Sequence, residues 1–300
     1  MNFNIAIGTN PRPSWESLGD AVLFLRRALE SCGHRVMISD TFVMAGAVNI
    51  FLDRIHYYPE LVHDLVNRKV VYGIIFTEVL DSTGRINWGI EEQETGDIGL
   101  GLRQASFIWC VMEESVVPVR AYNSRTYYLP FGYVDGIATI DRVPTNQRDI
   151  DFLITGIITE RRAGVLTRLA ERGFRTHAAQ MVPHYIRDAL MARAHLNLTV
   201  SKFDGHDLIS PTRVSYSVIN RVPMLTEVTA TPGEYAQYCA TARAENLVEA
   251  AIDFYSHTNV DDFAEEMFRK FKAERDMTET MRDLISRIEM RRTATSVHTA

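Results

Sequence analysis

The sequence predicts an α/β protein with two Rossmann-like domains that face a cleft, and two observations lead to that prediction. A short apolar strand, a turn rich in Pro and Gly, an amphipathic helix and a second strand occupy residues 3–39. The same order of elements starts again near residue 152. Alternation of short apolar strands with helices is typical of parallel sheets covered by helices. Ligands of such folds bind beyond the carboxyl ends of the strands.

In the first half, the pattern places each element in turn. Phe3–Gly8 is an apolar run ending in Gly, and apolar residues at helical spacing follow from Ser14 to Leu29, before a stop at Gly33. Val70–Phe76 is a continuous Val/Ile/Tyr/Phe run, which is typical of a strand buried on both faces. The remaining elements predicted here are strands at 35–39, 48–53, 107–112 and 127–130 and a helix at 59–67.

A polar segment with a proline, Arg142–Arg148, is the best linker in the chain. After it we predict strands at 152–155, 175–179, 196–200 and 223–226 and helices at 165–171, 186–194 and 213–219. Residues 244–288 have the pattern of successive amphipathic helices without a strand. The predicted domains are 1–143, 148–240 and a helical extension, 244–292, that packs back on the first domain.

Composition excludes several classes of protein. The 300 residues are 46% hydrophobic and 23% charged, as in ordinary globular proteins. No run reaches the ~18 apolar residues of a membrane span, and the start has no pattern of a secretory signal. The three cysteines, Cys32, Cys110 and Cys239, are too widely spaced for a CxxC zinc site. We therefore expect a cytoplasmic protein without a membrane span.

The formal charge of −6 is unevenly distributed. Residues 1–150 contain 13 Lys+Arg and 18 Asp+Glu, a net of −5, whereas residues 151–300 contain 19 and 20, a net of −1. A duplex nucleic-acid partner is not expected, because no basic stripe is present. A phosphate-bearing ligand is expected in the second half.

Two stretches carry a resemblance to a known family. Phe152-Leu153-Ile154-Thr155-Gly156, then Thr159-Glu160-Arg161-Arg162 and Gly173-Phe174-Arg175, resemble the start of the C-terminal domain of GT-B glycosyltransferases, in particular the CgeB-like and group-1-like bacterial families. Asn197-Leu198, Arg213-Val214-Ser215-Tyr216 and Asn220–Glu227 resemble the donor-binding helix of that domain and the strand after it. The resemblance covers about residues 105–230; before that, only the topology is similar.

The resemblance implies a glycosyltransferase. Its C-terminal domain would bind a nucleotide-diphosphate sugar, and its N-terminal domain an acceptor that the sequence does not identify. It also implies no essential metal, since helix N-termini and basic side chains can stabilise a diphosphate. No other cofactor is implied. The sugar, the nucleotide, the stereochemical outcome and the oligomeric state stay open.

The chain departs from the family at one motif. The family's E-x7-E pair of carboxylates would fall at 208–216, where Leu208 and Tyr216 stand, with Asp207 and Ser210 nearby. This departure leaves open a catalytically degenerate scaffold or ligand-binding protein. A nucleotide-sugar epimerase on the same architecture is a further alternative.

The predicted donor site contains residues near strand ends and helix starts. Arg213 is expected to bind the diphosphate at a helix that Ser210 caps, with Pro at its first position. Glu227 ends a strand and is expected to accept hydroxyls of ribose or sugar. The other predicted donor-binding residues are Gly156, Arg161, Arg162, Lys202, His206 and Tyr216.

Transfer with inversion needs a base on the acceptor hydroxyl. Glu78 follows the buried strand 70–76 and is the first candidate; Glu16, at the start of the first helix, and His56 are the others. Each also has an ordinary structural explanation. Asp149-Ile150-Asp151 matches D-x-D, but it precedes its strand, so no metal ligands are predicted.

Overall fold

The structure of the protein is a computed structural model. The described residues are 1–10, 12–40, 43–80, 86, 98–202, 208–228 and 233–297. For residues 12–14, 16, 17, 56 and 289–297 the description covers the backbone alone.

The first sheet has six parallel strands in the order β2-β1-β3-β4-β5-β6. They are β1 (Asn2–Ala6), β2 (Arg35–Ser39), β3 (Val48–Leu52), β4 (Tyr72–Phe76), β5 (Phe107–Cys110) and β6 (Thr126–Tyr128). The helices between them are α1 (Arg12–Ser31), α2 (Pro59–Asn67), α3 (Ile98–Gln104) and α4 (Val116–Tyr122). Every residue of β3 and β4 is buried, as expected for central strands with both faces covered.

The second sheet has five parallel strands in the order β11-β10-β9-β7-β8. They are β7 (Ile150–Thr155), β8 (Thr176–Ala179), β9 (Ala194–Thr199), β10 (Met224–Glu227) and β11 (Ala240–Ala242). The helices that follow or connect them are α5 (Glu160–Glu171), α6 (His184–Arg193), α7 (Pro211–Ile219), α8 (Leu247–His257), α9 (Val260–Glu274) and α10 (Met277–Val297). None of the helices in the described part of the chain is long and apolar enough to cross a membrane.

Each sheet has its own apolar core. Phe51, Tyr72 and Ile108 belong to the core of the first sheet, and Phe152 and Leu196 to the core of the second. Burial of such side chains stabilises a fold by about 1.5–3 kcal/mol each, so each core contributes substantially to the stability of its sheet.

The predicted α/β class with two parallel sheets is confirmed, and β2 and α2 have the predicted bounds. Two helices and one strand were not predicted. In α3 the glycines Gly99 and Gly101 lower the helix propensity, and α4 has a proline, Pro118, among β-branched residues. Strand β11 has only three residues and no alternating pattern. Periodicity is too weak a signal in segments this short.

Spatial contacts divide the chain into two units. The first unit is Met1–Trp15, Val22–Val134 and Asp276–Ala300; the second is Glu16–Ala21 and Asp135–Arg275. The division precedes the predicted linker, which lies within the second unit. There Asp261 of α9 accepts hydrogen bonds from Arg148 at 2.8 Å and from Thr145. The segment predicted as a linker therefore packs within this unit, and its Arg148 is buried.

The helical extension also differs from its prediction. The first two of its helices, α8 and α9, belong to the second unit, and only α10 belongs to the first. Val248 of α8 is part of the core of the second sheet. An amphipathic helix packs where its apolar face finds an apolar surface, and for α8 that surface is the nearest sheet.

Candidate functional site

Polar and charged side chains gather at the carboxyl edge of the second sheet. Strands β7, β9 and β10 are neighbours in this sheet, and their carboxyl ends therefore lie side by side. Helices α5 and α7 begin at the same edge, and each has a capping side chain. Thr159 Oγ1 accepts from the Arg162 backbone N–H at 3.4 Å, and Ser210 Oγ accepts from the Arg213 backbone N–H at 3.5 Å. The predicted N-cap at Ser210 is confirmed.

Arg213 contacts the end of β7. Its Nη1 donates to Thr155 O at 3.0 Å, and its guanidinium lies against Gly156. Gly156 has a φ of +96°, and a Cβ added to it would lie 2.7 Å from Arg213 Nη2. Glycine is therefore needed at this position for two reasons, the left-handed backbone and the closeness of the guanidinium.

Arg162 is buried, with 5% of its surface exposed. It donates from Nε to Val200 O at 2.8 Å and from Nη1 to Ile157 O at 2.6 Å. These carbonyls belong to the segments that follow β9 and β7. Arg162 thus joins two strand ends from the first turn of α5, with main-chain oxygens as its acceptors.

Arg161 and Glu227 form a paired group beside Arg162. Arg161 donates from both terminal nitrogens to the two Glu227 carboxylate oxygens, each at 2.6 Å. The same arginine donates to Ser201 O at 3.2 Å, and the Ser201 N–H donates to Glu227 Oε2 at 3.1 Å. Glu227 was predicted to accept ligand hydroxyls; in this structure its oxygens are engaged by Arg161 and Ser201.

The edge has an excess of positive charge. Three guanidiniums gather there, and in the described part of the chain no carboxylate forms an ion pair with Arg162 or Arg213. Burial, together with the charges of Arg213 and Arg161, lowers the pKa of Arg162 to about 10. Burial and the charge of Arg187 also lower the pKa of Arg213, while Asp20 opposes that shift. An anion at this edge would favour the charged form of both guanidiniums and so oppose the effects of burial and of the neighbouring cations.

Of the other predicted donor residues, Lys202 lies beside the caps, since its carbonyl accepts from Thr159 Oγ1 at 3.2 Å. His206 and Asp207 lie outside the described residues. Tyr216 is buried, with 3% exposed. Its hydroxyl donates to Asp188 Oδ2 at 2.7 Å and pairs with Thr139 Oγ1 at 3.0 Å. These contacts indicate a packing role for Tyr216 rather than a binding role.

The carboxyl edge of the first sheet has the opposite charge. Asp53 follows β3 and is 6% exposed, and Glu78 follows β4 and is half-buried. The Asp53 carboxylate accepts from the Thr77 N–H at 2.5 Å and from Thr77 Oγ1 at 2.6 Å. Burial, and then the charge of Glu78, raise the pKa of Asp53 to about 7. Glu78 was among the predicted bases but Asp53 was not, although its position directly after an apolar strand was the available signal.

The segment containing Glu78 is held on its other side by Ser115. This fully buried residue donates from Oγ to Glu78 O at 2.9 Å and accepts from the Leu80 N–H at 3.0 Å. At the end of β1, Thr9 is 1% exposed, and its hydroxyl has no hydrogen-bond partner among the described residues. Its neighbour Asn10 donates to Leu52 O at 2.9 Å, directly before Asp53. Several buried polar groups therefore lie along this edge.

For two of the predicted bases, Glu16 and His56, the structure describes the backbone but not the side chain. Glu16 lies in α1, and His56 lies in a single helical turn, Arg54–Tyr57, after β3. Both side chains are outside the described part of the chain. Among the candidates for the base, Glu78 is the one whose surroundings the structure describes.

No protein-family model and no curated protein matches the chain. Solved structures are similar over nearly its whole length. An α-glucosyltransferase in complex with UDP and a 13-mer DNA containing an HMU base is 9% identical with a TM-score of 0.59, over 96% of this chain and 99% of that one. The UDP-GlcNAc 2-epimerase from Neisseria meningitidis bound to UDP-GlcNAc is 10% identical with a TM-score of 0.55, over 95% and 99%.

AviGT4, a glycosyltransferase involved in avilamycin A biosynthesis, is 11% identical with a TM-score of 0.55, over 96% of this chain and 97% of that one. At these identities the similarity shows the fold alone. The chain has the GT-B type of α/β fold, which transferases and epimerases share.

Proposed function

We propose that the protein is a glycosyltransferase that uses a nucleotide-diphosphate sugar and no divalent metal. The observation that carries this proposal is the group of three guanidiniums at the carboxyl edge of the second sheet, where two capped helices begin. Free N–H groups and the dipole at a helix start favour a phosphate, and a planar guanidinium binds one bidentately. Membership in the CgeB-like families is part of the proposal and depends on the motifs at 152–175 and 197–227.

In the proposed reaction, Arg213 and Arg161 bind the diphosphate. Arg162, which is buried in the first turn of α5, contributes positive electrostatic potential without contacting it. The pyrophosphate leaves with additional negative charge, which these fixed cations stabilise without a metal. Glu227 stays available for ribose or sugar hydroxyls only if the diphosphate draws Arg161 away from it. Glu78 of the first unit takes the proton of the acceptor hydroxyl. The acceptor is not identified.

The first experiment is a thermal shift of the full chain against UDP-, GDP-, ADP- and TDP-sugars. At least one of them is expected to raise the melting temperature, since a ligand that binds only the folded state stabilises it. Stabilisation by none of them would favour the degenerate scaffold. Conversion of the donor to an isomer, without release of free nucleotide, would identify an epimerase instead.

The second experiment measures affinity for that donor by calorimetry. Arg213→Ala is expected to weaken binding ~10- to 100-fold, because a charge-assisted hydrogen bond contributes roughly 1.5–3 kcal/mol. Arg213→Lys should restore only part of it, since an ammonium cannot reproduce the planar fork. Arg168→Ala, on the exposed face of α5, is the matched control and should bind normally. An Arg213→Ala protein that melts much earlier but binds as well would show a purely structural arginine.

A further inference from the structure

Asp53 combines two features that a stable fold alone does not favour. Its backbone has a φ of +50° and a ψ of −75°, a region that residues with a side chain rarely adopt. Its carboxylate is buried, and among the described residues no Lys, Arg or His forms an ion pair with it. Strained residues of this kind concentrate at functional sites, where the surrounding structure maintains them.

The contacts of Asp53 act on one short segment. Both of its carboxylate oxygens accept hydrogen bonds from Thr77, one from the main chain and one from the side chain. The next residue is Glu78, whose carbonyl Ser115 binds from the other side. Two buried polar side chains, one directly after β3 and the other directly before α4, thus fix the main chain on both sides of Glu78.

We propose that Asp53 is a positioning residue for the base of the proposed reaction: it holds the Thr77–Glu78 segment and places a second carboxyl group beside Glu78. The inference rests on the proposed function, in which Glu78 receives the acceptor proton. During transfer the acceptor O–H bond breaks and its proton moves to the Glu78 carboxylate. The acceptor oxygen forms the bond to the sugar carbon, and the bond from that carbon to the diphosphate breaks with the electron pair. Asp53 touches neither reactant.

The charge of Glu78 influences the pH at which the buried Asp53 carboxyl group loses its proton. Among the described residues, the titratable and charged groups that interact with Asp53 are Glu78 after β4, Arg54 next in the chain and the buried Cys110 at the end of β5. Glu78 favours the protonated form of Asp53, Arg54 opposes it, and the charge of Asp53 raises the pKa of the Cys110 thiol further than burial alone does. Burial and the charge of Glu78 act in the same direction, so the Asp53 carboxyl group keeps its proton to a higher pH than an ordinary aspartate does.

The test compares wild type, Asp53→Asn, Glu78→Gln and the control Asp64→Asn, an exposed acid on α2 paired with Arg68. Asparagine keeps the size of the side chain and tolerates a positive φ, so Asp53→Asn is expected to fold. The readouts are donor affinity by calorimetry and the rate of nucleotide release with water as acceptor, from pH 5 to 9. The titration of the Asp53 carboxyl group is followed separately by ¹³C NMR in wild type and Glu78→Gln.

We expect Asp53→Asn to lower kcat about tenfold or more, but by less than the ~10²- to 10⁴-fold that general-base catalysis as a whole contributes, with donor affinity unchanged. The limb of the pH profile near neutrality should shift in this variant but not in Asp64→Asn. In Glu78→Gln the Asp53 carboxyl group should titrate at a lower pH than in wild type. Wild-type kcat and pH profile in Asp53→Asn, or an unmoved Asp53 titration in Glu78→Gln, would overturn the inference. Failure of the proposed function is recognised separately, by the absence of donor binding to wild type.

Discussion

At the carboxyl edge of the first sheet the buried charge is a carboxylate, that of Asp53, whereas at the same edge of the second sheet it is the guanidinium of Arg162. Both sheets are parallel and are built from the same order of strand, turn and helix. Asp53 directly follows β3, whereas Arg162 lies in the first turn of α5, after β7, and each is held by hydrogen bonds to segments that follow strands. The opposite charges come from the residues that follow the strands, in a loop for Asp53 and at a helix start for Arg162.

The comparison shows how one architecture can serve two chemical tasks. A parallel sheet determines where its turns meet, and the residues in those turns determine what can bind there. The pKa shifts of both buried groups have burial as their largest cause. Burial disfavours the charged form in each case, so it raises the pKa of the acid and lowers the pKa of the base. One edge is thereby suited to exchange a proton and the other to attract an anion.

Among changes at the carboxyl edge of the second sheet, removal of the buried Arg162 guanidinium should lower the stability of the protein most. Arg162→Met keeps apolar volume but leaves the carbonyls of Val200 and Ile157 without a donor. We expect the free energy of unfolding to fall by roughly 1–3 kcal/mol, the cost of one unsatisfied buried group, because Val200 is buried whereas Ile157 is exposed and water can bind its carbonyl. Urea unfolding followed by far-ultraviolet circular dichroism measures this change. Arg168→Met on the exposed face of the same helix is the control and should stay within about 0.5 kcal/mol of wild type. Equal stability of the two variants would contradict a structural role for Arg162.

The contact between Gly156 and Arg213 predicts a smaller effect. Gly156→Ala should lower stability by about 1–2 kcal/mol through the left-handed backbone and should weaken donor binding, because the new Cβ displaces the guanidinium. Gly164→Ala is the matched control, because Gly164 lies in the interior of α5 and a Cβ added to it would have no neighbouring atom within 4 Å. It should stabilise the protein by about 0.5–1 kcal/mol. Donor affinity unchanged by Gly156→Ala would argue against Arg213 as a ligand.

The acidic edge predicts a dependence of stability on pH. The pKa of Asp53 is raised from 3.8 to about 7 on folding. The folded state therefore binds this proton more tightly, and stability should fall as the pH rises from about 4 to about 7. Tryptophan fluorescence can follow unfolding of the first unit, because Trp15 and Trp109 belong to it. In Asp53→Asn this part of the decline should be absent. A decline identical to that of wild type would assign it to other groups.

The smallest expected effect is that of metal removal. Donor affinity should be the same in EDTA and in Mg²⁺ or Mn²⁺, because the fixed guanidiniums already neutralise the diphosphate. Calorimetric titrations in the two buffers make the comparison. Affinity that collapses in EDTA and returns with either metal would overturn the metal-independent proposal.

Much of the fold could be predicted from periodicity and turn residues. Apolar runs separated by Gly and Pro predicted the α/β class and most of the strands, and the bounds of β2 and α2 were predicted correctly. The Ser-Pro pair predicted the start of α7 at Ser210. These features are local: a cap, a stop and an apolar face depend on residues only a few positions apart.

Only the tertiary structure decided which side chains meet. Arg161 and Glu227 are 66 residues apart and form a bidentate pair because β9 lies between β7 and β10. Tyr216 lies in α7, whose start belongs to the predicted donor site, yet its hydroxyl donates a hydrogen bond to Asp188 of α6. Asp53 becomes a buried acid beside Glu78 because β3 and β4 are adjacent. The sequence by itself determined approximately where the strands lie, whereas the order of the strands in the sheet determined which strand ends are neighbours. Pairing between distant segments depends on burial over the whole sheet, so the spacing of residues along the chain does not predict it.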